Sequence, residues 1–97
     1  MIGPIHPGVT LREDFTEPYD LSANRLSKAL GIPQNRISDI VRGRHGITAD
    51  TALRLERAFG VSGSFWLNLQ SHYELEVAQR DNGSAISKRV KRLARAA

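Results

Sequence analysis

Between Gln34 and Arg42 the chain sets two amides (Gln34, Asn35), two guanidinium groups (Arg36, Arg42), a hydroxyl (Ser38) and a carboxylate (Asp39) within nine residues. Their chemistry is recognition by hydrogen bonds. Gln and Asn match the donor and acceptor of an adenine edge, Arg the two acceptors of guanine, and Asp can accept from cytosine N4. Interleaved with them are Ile37, Ile40 and Val41. At about 100° per residue, Pro33, Ile40 and Val41 fall within about 60° of Ile37, whereas Asn35, Asp39 and Arg42 fall on the far side, flanked by Ser38 and Arg36. One face is a core stripe and the other is rich in groups that bond to bases.

A helix of this kind must be held by another. The stretch from Leu26 through Gly31 to Gly43 reads as helix, tight glycine turn, helix. Such a turn holds two helices at about 90–120°, the geometry of a DNA-reading helix-turn-helix. A recognition helix presents its N-terminal side chains to base edges in the major groove. The expected base readers are therefore Gln34, Asn35, Arg36, Ser38 and Asp39. Arg25, Lys28, Arg42 and Arg44 lie near the helix ends, where contacts to the backbone position a protein without reading sequence. The competing reading is a plain helical hairpin.

Caps, glycines and prolines divide the chain into five helical segments, an all-α fold. Pro7 can open the first, where its missing N–H costs nothing. This segment carries Val9, Leu11 and Phe15, and Pro18 ends it. Ser22 caps the second, Ala23 to Leu30, and Gly31 closes it in a left-handed turn. Pro33 starts the third, which runs to about Arg42. Thr48 caps the fourth, with Asp50 favourable in its first turn, and Gly60 ends it. Ser62 caps the fifth, expected to run to about Arg80 and stop near Asn82-Gly83. The division is then a domain over residues 1–82, with its helix-turn-helix at about 22–42 and a long helix at about 62–80, followed by a basic tail over 83–97.

The fifth segment has two apolar stripes. Trp66, Phe65, Leu69, Tyr73 and Val77 form one, and Leu67, Leu75 and Ala78 form another on a different side. A helix with two apolar faces needs a second surface. The same helix of a second copy would supply it, so Leu67, Leu75 and Ala78 are the candidate homodimer interface. Two-fold dimers of this motif bind half-sites about 34–36 Å apart. Docking of a different protein, or simple exposure of Leu75, would also account for the stripe.

Ninety-seven residues suit one domain with a thin core. The net charge of +4 is unevenly placed: residues 83–97 hold Lys88, Arg89, Lys91, Arg92 and Arg95 and no acid. Arg25 to Arg57 holds seven basic residues against three acidic ones, and the segment before it carries Glu13, Asp14, Glu17 and Asp20 against Arg12. A positive middle suits a polyanion, although solvated helix faces can carry such runs. The absence of cysteine excludes disulfides and thiolate zinc sites and fits a reducing cytoplasm. Met1 to Thr10 lacks the pattern of a signal peptide, and no apolar run of membrane-spanning length occurs, so no membrane association is expected.

With these residues in view, the sequence resembles XRE-type, lambda-repressor-like helix-turn-helix proteins and, more narrowly, the HigA/VapI group of antitoxins. The likeness covers roughly His6 to Gln79. It rests on His6-Pro7-Gly8, Leu21-Ser22-Ala23-Asn24-Arg25-Leu26, Gln34 through Ile40, Arg44-His45-Gly46-Ile47-Thr48-Ala49-Asp50-Thr51-Ala52 and Phe65-Trp66-Leu67-Asn68-Leu69-Gln70. The resemblance implies a five-helix bundle, a homodimer, repression of its own operon at double-stranded operator DNA, and neutralisation of a RelE/HigB-like mRNA endonuclease toxin. It assigns base reading to Gln34, Asn35, Arg36, Ser38 and Asp39, and backbone contacts to Ser22, Arg42 and Arg44. The basic tail lies outside the shared pattern. A stand-alone XRE-type regulator, or a helical protein-interaction module that does not bind DNA, are the rival readings.

No cofactor, metal or enzymatic activity is expected. His6, His45 and His72 are far apart and lack the i, i+4 pairing or cysteine partners of a zinc site. His45, in a glycine-flanked loop, suits phosphate contact or solvent. His72, beside Tyr73, suits an interface or the surface. Glu13-Asp14 and the Glu74, Glu76 pair are ordinary helix-surface clusters.

Overall fold

The computed structural model describes residues 3–96 and is all-α. Among those residues there are five helices and no strand. The first, α1, starts over Pro7–Thr10 and widens into a π-helical stretch over Leu11–Thr16. The others are α2 (Ala23–Leu30), α3 (Gln34–Val41), α4 (Ala49–Phe59) and α5 (Gly63–Arg89).

Local chemistry accounts for most of the boundaries. The hydroxyls of Ser22, Thr48 and Ser62 accept from the backbone N–H of Arg25, Thr51 and Phe65, satisfying one orphan donor at the start of each helix. Gly31 and Gly60 close α2 and α4 at positive φ of 70° and 78°. Other ends are satisfied from a distance. Arg54 of α4 donates to the carbonyls of Leu30 and Gly31 at 2.8 and 3.2 Å, while its Nε bonds Asp50 at 2.6 Å. Glu56 accepts from the Gly63 N–H at 2.7 Å, adding a charged cap to α5.

The core joins all five helices through Leu11, Leu26, Leu30, Ile37, Ile40, Ile47, Ala52, Leu55 and Trp66. Trp66 is fully buried, tilted against Phe15 with centroids 4.9 Å apart and edge-on to Phe65 at 5.2 Å. It anchors α5 to the bundle by the largest apolar side chain in the chain.

Three sequence expectations change. First, α5 does not stop near Asn82-Gly83 but runs on to Arg89. Glycine permits a left-handed stop without requiring one, and Gly83 is not among the positive-φ glycines. Residues 83–89, with Lys88 and Arg89, thus continue α5, and the described residues from Val90 to Ala96 carry no regular secondary structure. Second, Leu67 is less open than Leu75: it is half-buried against the core, beside Ala52 and Leu53 of α4. Third, Pro33 is exposed, because as the N-cap residue of α3 it precedes the helical periodicity used to place it.

His6 ties α1 to the rest. Its Nδ1 accepts from the Gly8 N–H at 2.9 Å, and its ring meets Tyr73 of α5 edge-on at 4.9 Å. Burial lowers its pKa below 6.5. The unfolded chain therefore takes up a proton first, so this contribution is complete above about pH 6.5 and is lost as pH falls through the lowered folded value. Protonation also removes the Nδ1 acceptor. The urea midpoint should drop between about pH 7.5 and about pH 5.5, and drop less in His6→Asn, whose amide oxygen can cap without titrating. An identical pH dependence in both proteins would reject the role of His6.

Candidate nucleic-acid interface

The helix pair α2–α3 is rigidly built. Gly31 turns the chain out of α2, its N–H and that of Ile32 both bonding the Ser27 carbonyl at 2.8 and 3.2 Å. Pro33 then opens α3, and its carbonyl accepts from Arg36 and Ile37 at 3.0 and 3.3 Å. At the other end the backbone folds back, with the Arg44 and His45 N–H groups on the Asp39 carbonyl at 2.7 and 3.2 Å. Ile37 and Ile40 are fully buried, which fixes the rotation of α3 about its axis.

That rotation decides where each candidate base reader goes. Gln34 and Asn35 are exposed at the N-terminal end of α3, while Arg36 and Ser38 on its flanks and Asp39 on its far side are half-buried. The far side is therefore bare at its start and partly covered at Asp39. Arg42 is exposed at the C-terminal end, and with Ser38 it lines a cleft completed by Arg12, Thr16 and Ala23. Arg12 was not singled out by sequence reasoning, since it lies in an acidic segment and pairs with Glu13 and Glu17 at 3.3 and 3.6 Å.

Ser22, Arg25, Lys28 and Arg44 are all exposed. Among the described residues none of Arg25, Lys28, Arg36, Arg42 and Arg44 forms an ion pair. Five cations without protein partners around one helix pair make a surface suited to phosphates. Arg54, counted with the same positive stretch, is committed to Asp50 and the end of α2.

The loop after α3 is braced by α5. Gln70 accepts from the Ile47 N–H at 2.8 Å. Gly46 leaves the room this needs, because a Cβ there would lie 2.9 Å from the Gln70 amide nitrogen. His45 is half-buried and its Nδ1 bonds the Gly46 carbonyl at 2.7 Å, which makes it a loop brace. His72 is exposed and pairs with Glu76 at 2.6 Å. Among the described residues no group of acidic, histidine or cysteine side chains could hold a metal ion, and no helix is long and apolar enough to cross a membrane.

One further contact escaped the sequence reading. Asn24 of α2 donates through Nδ2 to Gln34 Oε1 at 3.1 Å. The two stand ten residues apart on different helices, so only their crossing brings them together.

A helix pair with an anchored second helix, bare polar groups at its leading end and free cations around it defines a helix-turn-helix domain. The family model described as Helix-turn-helix matches residues 11–66, and the chain belongs to that family, in its XRE branch. Within it, similarity runs to HigA-type antitoxins. The chain is 52% identical over 80 residues to virulence-associated protein I of Dichelobacter nodosus, covering 82% of this chain and 74% of that protein. An addiction module antidote protein of the HigA family from Coxiella burnetii superposes with a TM-score of 0.90 at 46% identity, over 95% of this chain and 100% of the other. Pseudomonas aeruginosa antitoxin HigA, solved with the higBA promoter, superposes with a TM-score of 0.91 at 44% identity, over 94% and 99% of the two chains.

Proposed function

We propose that this chain is the antitoxin of a type II toxin–antitoxin module. As a homodimer in the cytoplasm it binds its own operator, with α3 in the major groove, and represses its operon. It also neutralises a RelE/HigB-like mRNA endonuclease. One observation carries the DNA reading: Asn35 stands exposed opposite the buried Ile37, on a helix locked to the core by Ile37 and Ile40, with Gln34 exposed at its leading end. The likeness to an antitoxin solved with its promoter supports the same reading. Toxin neutralisation rests on the likeness to the HigA antitoxins. Gln34, Asn35, Arg36, Ser38 and Asp39 read bases, and Ser22, Arg25, Lys28, Arg42 and Arg44 hold phosphates.

Selection from randomised duplexes should yield a preferred site whose log affinity falls linearly with log salt, by about 0.9 per neutralised phosphate. Asn35→Ala should weaken that site by roughly 10- to 100-fold and random duplex hardly at all. Equal loss on both sequences would deny Asn35 a reading role, and failure to select any site would overturn DNA recognition. For the antitoxin role, the product of the neighbouring gene should co-purify with the chain. A neighbour that neither binds nor inhibits growth would leave a stand-alone regulator.

A further inference from the structure

We infer that Gln70 of α5, with no DNA contact of its own, positions Arg44 for a phosphate. The inference rests on the reading of Arg44 as a backbone contact. Arg44 stands exposed in the loop between α3 and α4, residues 42–48. That loop holds two glycines, Gly43 and Gly46, and Gly43 sits at a φ of 77°. Glycine gives up more conformational freedom on ordering than any other residue. A loose loop would have to be ordered as DNA arrives, at the expense of affinity. In this chain it is ordered beforehand from both ends.

On the α3 side, the Arg44 and His45 N–H groups share the Asp39 carbonyl at 2.7 and 3.2 Å. On the other side, Gln70 Oε1 accepts from the N–H of buried Ile47 at 2.8 Å. The Gln70 amide also lies so close to Gly46 that a Cβ there would come within 3.1 Å of three of its atoms. Gln70 is itself held. It follows buried Trp66 by one turn of α5, and its Nε2 donates to Glu74 at 3.4 Å. Without the Gln70 acceptor the Ile47 N–H would be an orphan in the interior. The loop would shift to bring it to water and carry Arg44 along, because a buried donor without a partner is costly. Gln70 is thus the positioning residue behind the Arg44 contact.

The test is a double-mutant cycle between Gln70 and Arg44, read as affinity for a selected operator duplex. Arg44→Ala should weaken binding about tenfold and lower the salt slope by about 0.9, the share of one phosphate. Gln70→Ala should weaken binding about 5- to 10-fold, the cost of re-ordering about one residue. In the Arg44→Ala background the same substitution should change affinity less than about twofold, because the group it positions is gone. A residue that only held the fold would act alike in both backgrounds. Gln70→Glu keeps an oxygen for the Ile47 N–H. Its remaining effect, repulsion of the new charge from DNA, should be equal with and without Arg44. Alanine suits a helix interior, and urea midpoints identify the folded variants. If Gln70→Ala does not fold, Gln70→Met replaces it, keeping the length and losing the acceptor. Equal effects of the acceptor-less variant in both backgrounds, none included, would overturn the inference alone, provided Arg44→Ala still lowers the salt slope. If Arg44→Ala leaves that slope unchanged, the phosphate role of Arg44 falls and the inference with it.

Discussion

Gly8→Ala should unfold the domain or bring it to the edge of unfolding. A Cβ at this position would lie 1.9 Å from the Ile40 carbonyl oxygen and 2.8 Å from its carbon, both rigid backbone atoms. Nothing flexible can give way, so α1 must move off α3. That movement would pull Leu11 out of the core and break the cap between His6 and Gly8. Overpacking against backbone with loss of a cap should cost about 3 kcal/mol or more, against a total stability of about 5–15 kcal/mol for a domain of this kind. Urea denaturation checks it directly. A midpoint within error of the parent protein would mean that α1 and α3 do not approach this closely. The consequence for recognition is direct, because Ile40, on the buried side of α3, is the residue that α1 presses against.

Leu75→Glu should produce a monomer that folds normally and binds operator poorly. Leu75 is 64% exposed on α5, and Ala78 and Ile86 line a shallow groove with it. A helix of 27 residues spans about 40 Å, and with the chain that follows it the longest dimension reaches 57 Å. The exposed half of that helix carries Leu75 and Ala78 of the second apolar stripe, with Ile86 beside them. Two copies joined there would bind two half-sites as one unit. Separating them removes the advantage of linked binding, typically about 10²- to 10⁴-fold in affinity. Sedimentation should show half the parent mass with an unchanged urea midpoint, and operator binding should weaken on that scale. An unchanged mass would move the dimer contact elsewhere and leave the stripe for another partner.

Much of the candidate interface was legible in the sequence because its determinants are local. Ile37 and Ile40 three residues apart, with polar groups between and around them, specify which side of α3 is hidden whatever it packs on. Gly31 between Leu30 and Ile32 specifies a turn through its own backbone freedom. The cap hydroxyls of Ser22, Thr48 and Ser62 act on N–H groups three residues on. The readings that changed depended on distant partners. Angle alone puts Leu67 on an outer stripe, yet α4 comes near enough to cover part of it. A glycine at position 83 reads as a stop, but a helix already anchored by Trp66 continues through a permissive residue.

The sequence alone determined the number of helices, the turn between α2 and α3, and the amphipathic split of the recognition helix. All three follow from hydrogen bonds and side-chain periodicity within a few residues. The tertiary structure alone decided that Gly8 lies against Ile40, that Gln70 braces the loop at Ile47, that Arg54 closes α2, and that Asn24 meets Gln34. Each of these joins residues at least ten apart along the chain. Such contacts depend on how helices cross, and no local pattern encodes that.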